Sequence, residues 1–166
     1  MSFNMYIPTR ILFGAGQLNQ LGNQKLPGKK ALLVISQGKS TRQNGYLDRV
    51  IGQLGMAGVG YALFDRIEAN PRTSTVMAGA AAARSNQCDL VVALGGGSVI
   101  DASKVIAFLA TNEGDCWDYA RGGTGKGKPI AKKPLPVIAI TTTAGTGSEV
   151  DAWGVINNEE TREKIG

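Results

Sequence analysis

Residues 90–105, LVVALGGGSVIDASKV, constrain this chain more than any other stretch. Residues 90–94 are all apolar and predict a strand buried on both faces. Three glycines and Ser98 follow at once, and a helical pattern runs over residues 99–110. A buried strand that ends in glycines and turns straight into a helix belongs to a parallel α/β sheet. The turn aims free backbone N–H groups and the positive end of the helix dipole at one point. Glycines let a ligand approach the backbone with no Cβ in between. This is the form of a diphosphate cradle for a nucleotide cofactor. A simple tight turn, with Ser98 as N-cap and Asp101 at the third helical position, would account for the same residues. The position at the carboxyl end of a buried strand favours a ligand, because open α/β sheets bind there.

The rest of the chain continues the alternation. Residues 3–13 read as an extended edge strand, which Pro8 confines to an edge. Gly14 and Gly16 break it, and residues 17–22 predict a short helix. Gly14-Ala15-Gly16 begins like a dinucleotide fingerprint, but Asn19 takes the third glycine's place. Residues 31–35, ALLVI, are a buried strand, and residues 36–41 a small polar loop. A helix is expected over 45–54, a strand over 61–64 with an acidic turn at 65–68, and an alanine-rich helix over 73–85. Residues 111–134 are polar and rich in glycine and lysine. Within them, 122–129 approaches a phosphate-binding loop, but Pro129 stands where Ser or Thr should be and no buried strand precedes it. A surface loop is expected, with Trp117 and Tyr119 as packing residues.

Residues 137–140 form a fourth strand that runs into TTTAGTGSEV, residues 141–150. This is a second small, hydroxyl-rich turn at a strand's carboxyl end. Two such turns at adjacent strand ends favour one shared ligand. Residues 153–157 and 162–166 predict a β-hairpin around an acidic turn, and the return strand stops partway, as in a fragment of a longer protein. Strands separated by helices predict a Rossmann-like α/β domain. Its sheet should be mostly parallel with helices on both faces, plus the N-terminal edge strand and the C-terminal hairpin.

Composition narrows the chemistry. With 43% hydrophobic and 19% charged residues, 166 residues are one globular domain. The net charge of +5 gathers most densely at Lys126, Lys128, Lys132 and Lys133, without interleaved aromatics, so nucleic acid is not an expected partner. No apolar run reaches the length of a membrane span and no signal peptide is visible. Cys88 and Cys116 are too few for a disulfide scaffold, and free thiols in the cytoplasm are expected. The chain contains no histidine, which excludes a His metal site, a His general base and a Ser-His relay.

Taken together, the two turns resemble the iron-containing (group III) alcohol dehydrogenases, in particular the 1,3-propanediol, butanol and lactaldehyde-reducing branch. Gly95-Gly96-Gly97-Ser98, Asp101 and Lys104 match the GGGSxxDxxK signature, and residues 142–150 match TTAGTGSEV. Asn70-Pro71 matches the NP that follows the second strand. The resemblance spans essentially the whole chain. It implies an N-terminal domain, residues 1–166, that binds NAD(P), followed in the family by a helical domain holding Fe²⁺ through one Asp and three His. That metal domain is absent here, and no catalytic or metal-ligating residue is assigned. By position, Gly96, Gly97 and Ser98 hold the diphosphate and Asp101 lies near the nicotinamide carboxamide. Thr142, Thr143, Thr146 and Val150 line the nicotinamide and its ribose, with Asn70 and Lys164 at the ribose region.

Val99 and Thr141 replace prolines common in the family, and the loop after the first strand lacks the acid that many NAD-using members place against the adenosine ribose. Ser36, Gly38, Lys39 and Ser40 stand there instead, and a lysine attracts a 2′-phosphate, which favours NADP over NAD. The resemblance implies hydride transfer between a nicotinamide and a small alcohol or aldehyde, with this chain supplying the cofactor half and inactive by itself. An exposed edge strand would allow a homodimer or higher homo-oligomer. The alternatives are a glycerol-dehydrogenase-like or dehydroquinate-synthase-like enzyme of the same broad fold, and a non-catalytic nucleotide-binding module.

Overall fold

A computed structural model describes residues 2 and 6–166. The first described helical element is a 3-10 turn, Gln17–Asn23. It is followed by β1 (Lys30–Ser36), α1 (Ser40–Gln43), α2 (Tyr46–Met56), β2 (Gly60–Ile67), α3 (Thr73–Ser85), β3 (Leu90–Gly95) and α4 (Gly97–Leu109). A second 3-10 turn, Cys116–Tyr119, precedes β4 (Val137–Thr141), β5 (Ile156–Asn158) and β6 (Glu163–Ile165).

The main sheet has the order β2-β1-β3-β4, and every pairing in it is parallel. The chain leaves β1 for one neighbour, then crosses back over it to place β3 on the other side. That reversal makes the carboxyl ends of β1 and β3 a topological switch point, where the connections diverge and a crevice opens. The central strands carry the apolar runs: residues 31–35 and 90–94 are all buried. Their side chains alternate between two cores. Leu32, Val34, Val91 and Ala93 pack under α3 and α4. Leu33, Ile35, Val92 and Leu94 pack under α2 and the first 3-10 turn. Gly79 is a close-approach point, since a Cβ there would sit 2.4 Å from Ile106 Cδ1.

Several expectations are corrected. Residues 6–13 form no strand; both edges of the sheet, β2 and β4, lie elsewhere, and Tyr6, Ile11 and Phe13 are exposed. Residues 3–5 of the expected edge strand lie outside the described residues. Residues 65–67, expected in a turn, continue β2 because β1 pairs as far as Ser36↔Ile67. Residues 40–41, expected in a loop, open the short helix α1.

The glycine- and lysine-rich connection is held by specific bonds. The buried Asn112 amide accepts from the Ala131 and Lys132 N–H groups and donates to the Phe108 and Lys132 carbonyls. Lys128 Nζ donates to the Glu113 carbonyl at 2.7 Å and lies 5.0 Å from the Tyr119 ring centre. Trp117 is buried, and Tyr119 packs edge-on against Phe108.

Candidate functional site

The site is built where β1, β3 and β4 end. Ladder register sets Ile35 beside Leu94 and Gly95 beside Thr141, so the three following turns lie in a row. Gly96 is the N-cap of α4, in an extended conformation, and no side chain caps the helix. The first amides of α4 are left without intrahelical acceptors and, with the helix dipole, favour an anion.

The capping expectation is therefore corrected. Ser98 lies inside the first turn of α4 and its Oγ accepts from the Asn70 N–H at 3.4 Å. Asp101 makes no capping bond. Its carboxylate accepts from Ser148 Oγ and, at 3.2 Å, from the Val155 N–H.

The glycine and threonine turns touch each other. The Thr142 N–H donates to the Gly95 carbonyl at 3.0 Å. A Cβ on Gly96 would lie 3.1 Å from Thr143 Oγ1, and one on Gly97 would lie 2.7 Å from Thr146 Cγ2. No side chain larger than hydrogen fits between the turns at Gly97, which is the physical reason a glycine stands there. Thr142, Thr143 and Thr146 are exposed at this junction and Val150 is half-buried.

Asn70 closes the side facing β2. It adopts φ 55°, the left-handed region that asparagine tolerates better than most residues. Lys164 Nζ, from β6, donates to Asn70 Oδ1 at 2.7 Å. Residues 94 apart in the chain are thereby joined beside Ser98. Ser36 ends β1 and is half-buried, whereas Gly38, Lys39 and Ser40 are exposed on the turn into α1.

Sequence reasoning left Lys104, Ser148 and Asp151 out of the site. Lys104 Nζ donates to the Ser148 carbonyl at 3.0 Å and to Asp151 Oδ1 at 2.7 Å, and lies 3.4 Å from Asp101 Oδ1. The i, i+3 spacing of Asp101 and Lys104 on one helix face was the visible signal; nothing local pointed to Asp151.

An apolar cavity of about 420 Å³ lies further along α4, between Phe108, Trp117, Trp153 and Ile165. It adjoins the row of turns at Lys104, which lines the cavity and also donates to the Ser148 carbonyl. Among the described residues, no group of three or more His, Cys, Asp or Glu is placed to hold a metal. No helix among them is long and apolar enough to cross a membrane.

Comparison with known proteins places this geometry in context. The sequence model for iron-containing alcohol dehydrogenases matches residues 8–166. NADH-dependent butanol dehydrogenase B of Clostridium acetobutylicum is 40% identical over 166 residues, 99% of this chain and 41% of that enzyme. The 1,3-propanediol dehydrogenase of Klebsiella pneumoniae is 40% identical over 171 residues, 99% of this chain and 43% of its own length. Among solved structures, NADH-dependent butanol dehydrogenase A of Thermotoga maritima superposes with a TM-score of 0.89 at 32% identity, over 99% of this chain and 40% of that one. An archaeal alcohol dehydrogenase from a Red Sea brine pool gives 0.90 at 42% identity, over 99% of this chain and 42% of its own. The chain thus spans about two-fifths of the length of these relatives.

Proposed function

The chain belongs to the iron-containing alcohol dehydrogenase family, and from that premise we propose that it is the cofactor-binding part of an NAD(P)-dependent oxidoreductase. The reaction interconverts a small alcohol with its aldehyde or ketone. A hydride leaves the carbinol carbon for nicotinamide C4, and the hydroxyl proton is released.

The observation that carries this reading is the contact between the glycine and threonine turns at the switch point of the sheet. The N-terminal amides of α4, with Gly96, Gly97 and Ser98, bind the diphosphate. Thr142, Thr143, Thr146 and Val150 take the nicotinamide and its ribose. Asn70 and Lys164, bonded to each other, close the ribose region. An ionised carboxylate offers about four acceptor positions. Asp101 accepts from Ser148 Oγ and the Val155 N–H and lies 3.4 Å from the Lys104 ammonium, which leaves acceptor positions for a carboxamide N–H.

The residues present do not fit a metal: the chain has no histidine and the described residues hold no ligand cluster. No step is assigned to one on this chain. The preference for NADP is supported by Lys39, exposed beside Ser36 and Ser40 where a 2′-phosphate would lie; the relatives named above as NADH-dependent weigh towards NAD. A cytoplasmic location is supported by Cys88 and Cys116, both free and buried. Self-association is supported by the exposed apolar side chains of Tyr6, Ile11 and Phe13.

Titration of the 166-residue chain with NADH and NADPH by calorimetry tests the reading. Saturable binding of at least one, competed by ADP, is expected. A folded sample that binds neither at millimolar concentration overturns it. The ratio of the two affinities decides between the cofactors.

A further inference from the structure

We infer that Lys104 is a positioning residue that clamps the threonine turn onto α4 and so sets the geometry of the nicotinamide half of the site. The inference rests on the cofactor reading above for its ligand, but on observed contacts for its mechanism. Lys104 stands on α4, one turn beyond Asp101 and away from the helix N-terminus that faces the diphosphate. Its side chain is 16% exposed, so its charge is met mainly by protein. Four oxygens meet it: the Ser148 carbonyl at 3.0 Å, Asp151 Oδ1 at 2.7 Å, the Asp151 carbonyl at 3.5 Å and Asp101 Oδ1 at 3.4 Å.

Ser148 and Asp151 lie on one segment, whereas Asp101 stands on α4 itself. Ser148 belongs to the threonine turn, and its hydroxyl donates to Asp101. Asp151 follows the turn and also accepts from the Trp153 N–H at 2.8 Å. Beyond it the Val155 N–H reaches Asp101 Oδ2. Gly154 lies flat on α4, where a Cβ would sit 2.8 Å from the Asp101 carbonyl. Residues 148–155 are therefore strapped along α4 by two carboxylates and one ammonium.

Without the ammonium, two carboxylates and a carbonyl would face each other in a partly dehydrated setting, and like charges there repel. The segment would lift from α4. Thr146, two residues before Ser148 and packed on Gly97, would lose its seat, while the amides of the α4 N-terminus would stay where they are.

The test compares wild type with Lys104→Met and Lys104→Arg. Lys104→Met is expected to weaken NADH binding at least tenfold and to leave ADP, which uses the glycine half, within twofold. Amide exchange in the ligand-free protein should accelerate over residues 145–155 and stay unchanged in β1 and β3. Lys104→Arg, which keeps the cation, should restore NADH binding to within threefold.

Unchanged exchange over 145–155 in Lys104→Met, or equal losses of NADH and ADP, overturns the inference. If wild type binds no NADH, the cofactor reading falls, and the exchange measurement alone decides the role of Lys104. Should Lys104→Met lose protection in β1 and β3, Asp151→Asn takes its place under the same comparisons, and no local acceleration there overturns the inference.

Discussion

Gly97 has no room for a side chain. Its missing Cβ would lie 2.7 Å from Thr146 Cγ2 and 2.9 Å from Thr146 Oγ1. Gly97→Ala must push the threonine turn away or strain α4, which overpacking data put at about 1–3 kcal/mol. We expect that loss in urea denaturation, together with at least tenfold weaker NADH binding. Cys116 offers a second check at this scale. Burial among apolar neighbours pushes its thiol up to about 12, with the Asp115 carboxylate adding to the effect. The folded protein thus holds this proton more tightly than the unfolded chain does. Its contribution is complete below the ordinary thiol range and is lost as pH rises towards 12. Between those limits, stability should fall by up to about 1.4 kcal/mol per pH unit. Cys116→Ala should remove that slope, measured by denaturant unfolding across the range.

At the scale of elements, the hairpin of β5 and β6 matters because it delivers Lys164 to Asn70. Its turn is tied to the start of α3, where Glu159 accepts from Thr73 Oγ1 at 2.7 Å and from Ser74 Oγ. The Asn157 N–H adds a bond to the Pro71 carbonyl at 2.8 Å. Partial desolvation opposes the charge on Glu159, but the Ser74 and Thr73 hydroxyls and nearby amides outweigh it and hold the carboxyl below its usual value. A lowered pKa means the tie is complete above the ordinary carboxylate range and is lost as pH falls through the folded value. Amide protection in β5 and β6, corrected for the intrinsic pH dependence of exchange, should therefore fall on acidification before it does in β1 and β3. In Glu159→Gln that early loss of hairpin protection should be absent over the same pH range.

At the scale of the whole molecule, the chain matches about two-fifths of its relatives' length and carries no histidine. Among its described residues no metal ligand cluster accompanies the proposed dinucleotide site. We expect the 166-residue chain to bind NADH and yet to show no reduction of butanal above background, with or without added Fe²⁺. Absorbance at the nicotinamide band measures this directly. Metal-dependent turnover would show that these 166 residues assemble a reacting centre by themselves.

The two turns, the buried strands at 31–35 and 90–94, and the helix at 73–85 could all be read from the chain, because each depends on neighbours a few residues away. Sequence reasoning also placed Asn70 and Lys164 together, through resemblance rather than pattern. What the chain could not reveal depends on contacts between distant segments. Residues 6–13 look like a strand until the sheet's edges turn out to be β2 and β4. Asp101 looks like a cap until Ser148, 47 residues later, takes its carboxylate. Lys104 meets Asp151 across the same 47 residues. Local periodicity records which face of an element is buried; which turns then meet at the switch point is decided by the order of strands in the sheet, and that order is a property of packing alone.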